Sequence, residues 1–450
     1  MMIAGLIQLA ASLALAQQPN IDIQMRLTKP SILLGEPVWV DVTVTNRTTE
    51  SLQIDMGNAC FGHRPLQVEI PGAEPASGER KRCGRFTDGG SCLSEGPTLL
   101  DPGNSLTWRY VVAGDFRITQ PGTYHVQLQK RVDYAREFPR TEPSEFSRNA
   151  SEQTAKETAI LEVRPADPAK LLAIEQALVA EVTASYVEPP LPAAAAQAAP
   201  DSAARRKALD ARQYETMVKQ TAIAEGLANF PIAGMEPIFN DWLINDGGRG
   251  YGLLALQKLN TPKSRRLVAQ AADPSEDLYL LWRRHVYFAD TQSTAAPMLF
   301  GIWRAGAVHA LVDMGDRSYL PLLEKLSGDE NPEVRQQAVL GLGLLGGESE
   351  LPKLTALVQS ATNTRDRSNA IQAMGDTASL KAVPQLISLF TLKDADEPSG
   401  STFALTTITH FSLPSADART IQETQALWQD WWEHNKDSSR AYGPFECSAR

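Results

Sequence analysis

The chain has 450 residues, 43% of them apolar and 21% charged, and a formal net charge of −10. That length exceeds what one hydrophobic core normally serves, so at least two domains are expected. The acidic balance, with a sequence pI near 5.3, has the wrong sign for a general nucleic-acid binder or for docking on an anionic membrane surface.

Residues 1–16 read as a secretory signal. The run from Ile3 to Ala16 is interrupted only by Gly5, Gln8 and Ser12 and ends in Ala14-Leu15-Ala16, the small-x-small pattern that signal peptidase reads. Its 14 residues fall short of the roughly 18–20 that a membrane-spanning helix needs, and no later run reaches that length. The expectation is an exported chain, periplasmic or extracellular, starting near Gln17 and without a membrane span.

Residues 20–166 carry β patterning. Val38, Val40, Val42 and Val44 alternate with Trp39, Asp41, Thr43 and Thr45, the period of a half-buried strand. Short runs follow at Leu52 to Ile54, Leu66 to Ile70, Leu106 to Val112, Tyr124 to Val132 and Ile160 to Val163, separated by turn residues such as Gly35-Glu36-Pro37 and Asp101-Pro102-Gly103. About seven short strands punctuated this way predict an antiparallel sandwich. The segment from Gln120 to Val126 resembles the corner leading into a late strand of immunoglobulin-like domains. There a Tyr hydroxyl, here that of Tyr124, bonds back to the chain.

Cys60, Cys83 and Cys92 fall in a long Gly-rich excursion, Gly57 to Gly96, and Cys447 stands near the C-terminus. In an oxidising compartment disulfides are expected, with three pairings open. Stapling the excursion is the preferred role. The competing zinc set, Cys60-x-x-His63 with Cys83 and Cys92, does not match knuckle spacing.

Residues 167–202 read as a helix, Pro168 to Tyr186, followed by a Pro/Ala spacer, Glu188 to Pro200, with nothing to bury. Residues 203–441 are helical throughout. Tyr214 to Phe230, Met235 to Leu243, Gly250 to Leu259 and Pro262 to Ala271 make two or three degenerate helix pairs. The segment from Leu281 to Phe288, followed by Trp303 and Arg304, concentrates the residue types that dominate protein-binding hot spots. Trp282, Arg283, Arg284, Tyr287 and Arg304 are therefore the candidate protein-binding residues. The competing reading packs Trp282, Tyr287 and Phe288 between helices and pairs the arginines with Glu276 or Asp277.

From Gly301 a unit recurs. Pro-x-Leu-x-x-Leu appears at Pro321, Pro352 and Pro384, spacings of 31 and 32 residues. That is the period of an α-solenoid, whose helix pairs bury their apolar faces only by stacking. In the middle copy Asn331 is placed to cap a helix, Pro332 to open it, and Val334, Ala338 and Leu342 form one stripe. Gly315, Gly346 and Gly375 are expected to stop the first helices in the left-handed conformation, with Asp316 and Asp376 capping the next ones.

The stretch from Asp329 to Gly346 resembles the HEAT repeat of bacterial proteins. The end, Ala404 to His410 followed by Trp428, Trp431, Trp432 and His434, is similar to the tail closing many exported bacterial HEAT proteins. Three Trp in five positions can shield the last repeat from water.

Gly341-Leu-Gly343-Leu-Leu-Gly346 matches the dinucleotide fingerprint in letters, yet it ends a helix where a fingerprint requires a strand before it and a helix opening after it. No nucleophile-elbow, zincin or Ser-x-x-Lys motif occurs, and the six histidines are scattered. No catalytic residue, cofactor or metal is therefore assigned. The resulting expectation is a multidomain chain: an immunoglobulin-like β-sandwich joined to an all-α HEAT-like solenoid, serving as a non-catalytic interaction module for a protein partner. Two alternatives stand beside it. One is an enzyme related to HEAT-like bilin lyases, the other a cell-envelope structural or inhibitor-like role for the sandwich.

Overall fold

The computed structural model describes residues 20–56, 66–75, 98–112, 116–136, 150–184, 221–245, 250–285, 296–391, 397–413, 420–437 and 440–443. Cys60, Cys83, Cys92 and Cys447, the expected leader at residues 1–16 and the Pro/Ala tract lie outside them. A β-rich region runs to Arg164 and a helical region begins at Pro168.

The β-rich region has two main sheets. One orders β1 (Ile21–Leu27), β3 (Trp39–Asn46) and β8 (Ser105–Val111). The other orders β2 (Ser31–Leu33), β11 (Ser151–Arg164), β10 (Gly122–Arg136), β4 (Leu52–Asp55) and β7 (Thr98–Leu100), with β5 (Gln67–Glu69) also on β10. A short pair, β6 (Glu74–Pro75) with β9 (Phe116–Arg117), stands apart. All pairings are antiparallel except β2 with β11. Val40, Val42 and Val44 from one sheet and Val126, Leu128 and Val132 from the other share one core, as the period-two alternation demands. The Tyr124 hydroxyl donates to the Gln120 carbonyl at 2.8 Å, the predicted bond back to the chain.

Two features depart from the pattern. Trp39 sits on the polar face of β3 yet is only 4% exposed, because the helical region covers it. Strand β11 extends to Ser151, well before the predicted Ile160 start. Its first half is polar and mostly exposed, so no apolar alternation marks it.

The helices are α1 (Pro168–Ala184), α2 (221–229), α3 (Glu236–Asn245), α4 (Tyr251–Leu259), α5 (Pro262–Ala272), α6 (Glu276–His285), α7 (Ala296–Asp313), α8 (Leu320–Leu326), α9 (Pro332–Gly341), α10 (Leu351–Ser360), α11 (Thr364–Asp376), α12 (Ala382–Ser388), α13 (Glu397–Thr409) and α14 (Ile421–Asn435). Helices α7, α9, α11 and α13 stack in succession, while α8, α10 and α12 each pack on the next of them. One apolar core runs from Val182 to Trp428. Helix α1 belongs to it: Leu172, Leu178 and Val179 pack against this core, and Leu171 lies beside Gly35 of the β-rich region.

The helix stops differ from expectation at two of three glycines. Gly315 is left-handed (φ 74°). Gly346 is right-handed, however, and the positive φ falls at Gly347 (φ 63°); Gly375 lies inside α11, and Ala378 (φ 51°) takes the turn. His410 follows at φ 53°. These positions recur every 31 or 32 residues, so the repeat imposes a positive φ even where the residue is not glycine. Asp316 caps as expected, accepting from the Ser318 amide, whereas Asp376 is the last, buried residue of α11. The reason Gly375 is small is packing: a Cβ there would stand 2.8 Å from that of Ala404 on α13.

Candidate functional site

The repeat geometry builds from the caps inward. The Asn331 side chain accepts from the amides of Glu333 and Val334, Pro332 opens α9, and Val334, Ala338 and Leu342 are fully buried. Leu323, Leu354 and Leu386 of the recurring Pro-x-Leu motif are buried likewise.

Arg304, Arg335 and Arg367 occupy equivalent positions, 31 and 32 residues apart. Arg335 and Arg367 reach back to carbonyls of the turn just before their own helix, and Arg304 reaches the carbonyl that ends α5. Arg304 Nε donates to Ala272 O at 3.1 Å, Arg335 to Asp329 O at 2.8 Å and Glu330 O at 2.9 Å, and Arg367 to Ala361 O at 3.0 Å. The first two also hold an aspartate of the next repeat: Arg304 grips Asp329 with both terminal nitrogens, and Arg335 pairs with Asp366 at 3.0 Å. A guanidinium satisfies a carbonyl and a carboxylate together because its donors are fixed in a planar fork.

Residues 302–375 match the HEAT repeats family. The matched stretch takes in this arginine series and the stacked helices α9 and α11. No curated protein matches the chain.

Around the HEAT repeats, the sequence-predicted binding residues separate. Arg304 is a rung of the series, its side chain and that of Asp329 each 15% exposed, so it is engaged inside the fold and not presented to a partner. Trp282 is 2% exposed. Its ring lies 4.9 Å from Phe300 and 6.1 Å from Trp303, with Tyr279 completing an aromatic cluster between α6 and α7. Trp303 Nε1 donates to Leu243 O at 2.8 Å, fixing the cluster to α3. Trp282 therefore packs and is not a surface anchor. Arg283 and Arg284 stand in the last turn of α6, and Tyr287 lies outside the described residues.

What the sequence reading missed is aliphatic. On the same two packed helices Leu280 and Leu281 are exposed, and Met298 (58%) and Ile302 (51%) more so. Helix α7 is apolar on nearly every side, so burying its aromatic face leaves an apolar strip outside. The spacing of Met298 and Ile302, four residues on one helix face, is the signal that could have shown it.

The fingerprint-like glycines are packing elements. A Cβ on Gly343 would collide with the Ala373 carbonyl of α11, and one on Gly341 would stand 2.5 Å from Val312. No strand precedes them, and the chain continues as a wider helical turn, Leu342–Gly346. A crevice of about 180 Å³ lined by Arg335, Leu357, Ser360 and Asn369 lies between repeats, smaller than the roughly 300–1,000 Å³ of small-molecule sites. Among the described residues no group of three or more His, Cys, Asp or Glu could hold a metal ion, and no helix is long and apolar enough to cross a membrane.

The C-terminal aromatic residues close the stack. Trp428 is fully buried, Trp431 stacks on Phe411 with centroids 5.1 Å apart, and Trp432 packs against the same core.

Proposed function

We propose that the chain is an exported, non-catalytic scaffold: an immunoglobulin-like sandwich joined to a HEAT-like α-solenoid that binds a protein partner through the solenoid surface. The observation that carries the reading is the exposed aliphatic strip of α6 and α7, whose Met298 and Ile302 edge the stretch matching HEAT repeats. Exposed apolar residues on a rigid helical array form a pre-organised docking surface, which lowers the ordering cost of binding. The address rests on the apolar run Ile3 to Ala16 and its small-x-small end.

The test is cross-linked capture from the cell envelope with the full chain. Wild type is compared with Met298→Asp/Ile302→Asp and with Arg283→Ala/Arg284→Ala. A protein retained by wild type and lost with the aliphatic variant supports the reading; loss with the arginine pair alone moves the site to the end of α6. Equal capture by all three chains, or none, would sink it.

A further inference from the structure

We infer that the crevice where the end of α10 meets α9 and α11 is a binding site for one uncharged primary carboxamide, the side chain of a glutamine or asparagine of the protein partner.

An unused donor stands at this site. Asn369 on α11 is 8% exposed, and its Nδ2 has no hydrogen-bond partner among the described residues. A buried donor left unpaired destabilises the fold, and Asn369 lines the crevice of about 180 Å³. That volume is several times the share of one liquid water, about 30 Å³, and close to the roughly 150 Å³ of a cavity that takes a benzene ring. One partner side chain fills it, and a single water does not. Nδ2 itself is closed off from solvent. Turning the carboxamide about its last side-chain bond, a soft torsion, gives up no hydrogen bond of Nδ2 and can present its hydrogens to the crevice. Val339, Leu357 and Ala361 supply an apolar lining for the methylenes of an incoming side chain.

Charge selects the ligand. Arg335 and Asp366 both line the crevice and pair at 3.0 Å, so the two charges offset one another. An incoming carboxylate would meet Asp366, and an ammonium would meet Arg335. Asp366 is engaged through Oδ2 alone among the described residues, by Arg335 and by Asn363 at 2.8 Å, which leaves Oδ1 to accept another N–H. A primary carboxamide carries the matching set: its oxygen accepts from Asn369 Nδ2 while its N–H donates to Asp366. That the carrier is a protein rests on the scaffold reading above, whereas the carboxamide chemistry rests on the crevice alone.

Propionamide, which reproduces the glutamine side chain, is the probe. It is titrated into the full chain carrying isotope-labelled asparagine, and the side-chain signals of Asn369 are followed by NMR. They are assigned by their absence from Asn369→Leu or, if that chain does not fold, from Asn369→Ser. The expected result is a saturable shift with half-saturation in the millimolar range. Propionate, of the same shape but charged, should bind at least about tenfold more weakly. Asp366→Asn removes the repulsion and leaves Arg335, so it should bring propionate level with propionamide or above it. No shift up to about 100 mM propionamide, a shift that rises without saturating, or equal affinity of the wild type for propionate would each overturn the inference. Saturable binding of propionamide alongside failed capture from the cell envelope would leave the carboxamide site standing and sink the scaffold reading alone.

Discussion

The indole of Trp39 leaves the β-rich region and closes on the backbone of Gly226 in the helical region. Its Nε1 donates to the Ala222 carbonyl at 2.9 Å, and a Cβ on Gly226 would stand 2.5 Å from the ring. Trp39→Ala empties that contact and removes the indole's hydrogen bond, at a cost of about 3–5 kcal/mol. Gly226→Ala overpacks the same place and costs about 1–3 kcal/mol. Scanning calorimetry should show a lower melting temperature for both, and a Trp39→Ala chain melting like wild type would disprove the junction.

Arg304 acts inside the fold. Arg304→Ala strands Asp329 and the Ala272 carbonyl, and the expected loss is about 2–3 kcal/mol. Arg304→Lys keeps the charge but not the fork, so it recovers only part of that. Urea titrations measure the losses. Partner capture per folded molecule should be unchanged, and a chain of wild-type stability that loses its partner would return Arg304 to the binding surface.

Ala378 holds a left-handed conformation, φ 51°, at a position of the repeat where Gly315 and Gly347 stand in the two preceding copies and His410 in the next. The left-handed penalty of about 1–2 kcal/mol for a residue with Cβ exceeds the entropy cost of glycine, about 0.5–1 kcal/mol. Ala378→Gly is therefore expected to stabilise by about 0.5–1 kcal/mol. A lowered melting temperature would contradict this.

Glu175 on α1 is 1% exposed, and among the described residues neither carboxylate oxygen has a hydrogen-bond partner of normal geometry, the Ile232 amide offering only a weak opposing contact. Burial pushes its pKa up to about 8. The folded chain thus keeps a proton that the unfolded chain, with an ordinary value of about 4.3, has already lost. Stability contributed by this group is full below that lower value, falls as pH rises, and levels off above about pH 8. Glu175→Gln carries no such proton, so its advantage over wild type should grow across the window by at most about 1.4 kcal/mol per pH unit. Denaturant titrations at about pH 5 and about pH 8 read it; a constant difference would rule it out.

Local rules decided much of this chain. The alternation of Val38 to Val44 predicted a buried strand face, and Asn331, Pro332 and the Val334-Ala338-Leu342 stripe predicted a capped helix with its core side. The Pro-x-Leu-x-x-Leu period marked three successive helix pairs, and Tyr124 signalled its bond back to the chain. Each signal depends on residues a few positions apart, which covalent geometry already holds near one another. Contacts between distant segments carried no such mark. Trp39 read as a polar-face residue until Gly226, 187 positions on, supplied its socket. Arg304 read as a surface anchor until Asp329 and Ala272 closed around it. Gly343 matched a fingerprint in letters alone, with no reason yet for its being glycine, and Gly375 read as a helix stop, until α11 and α13 stacked against them. Periodicity identifies which face of an element is apolar, whereas the approach of another backbone, which alone determines whether an arginine is engaged or a glycine is required, exists only once the chain has folded.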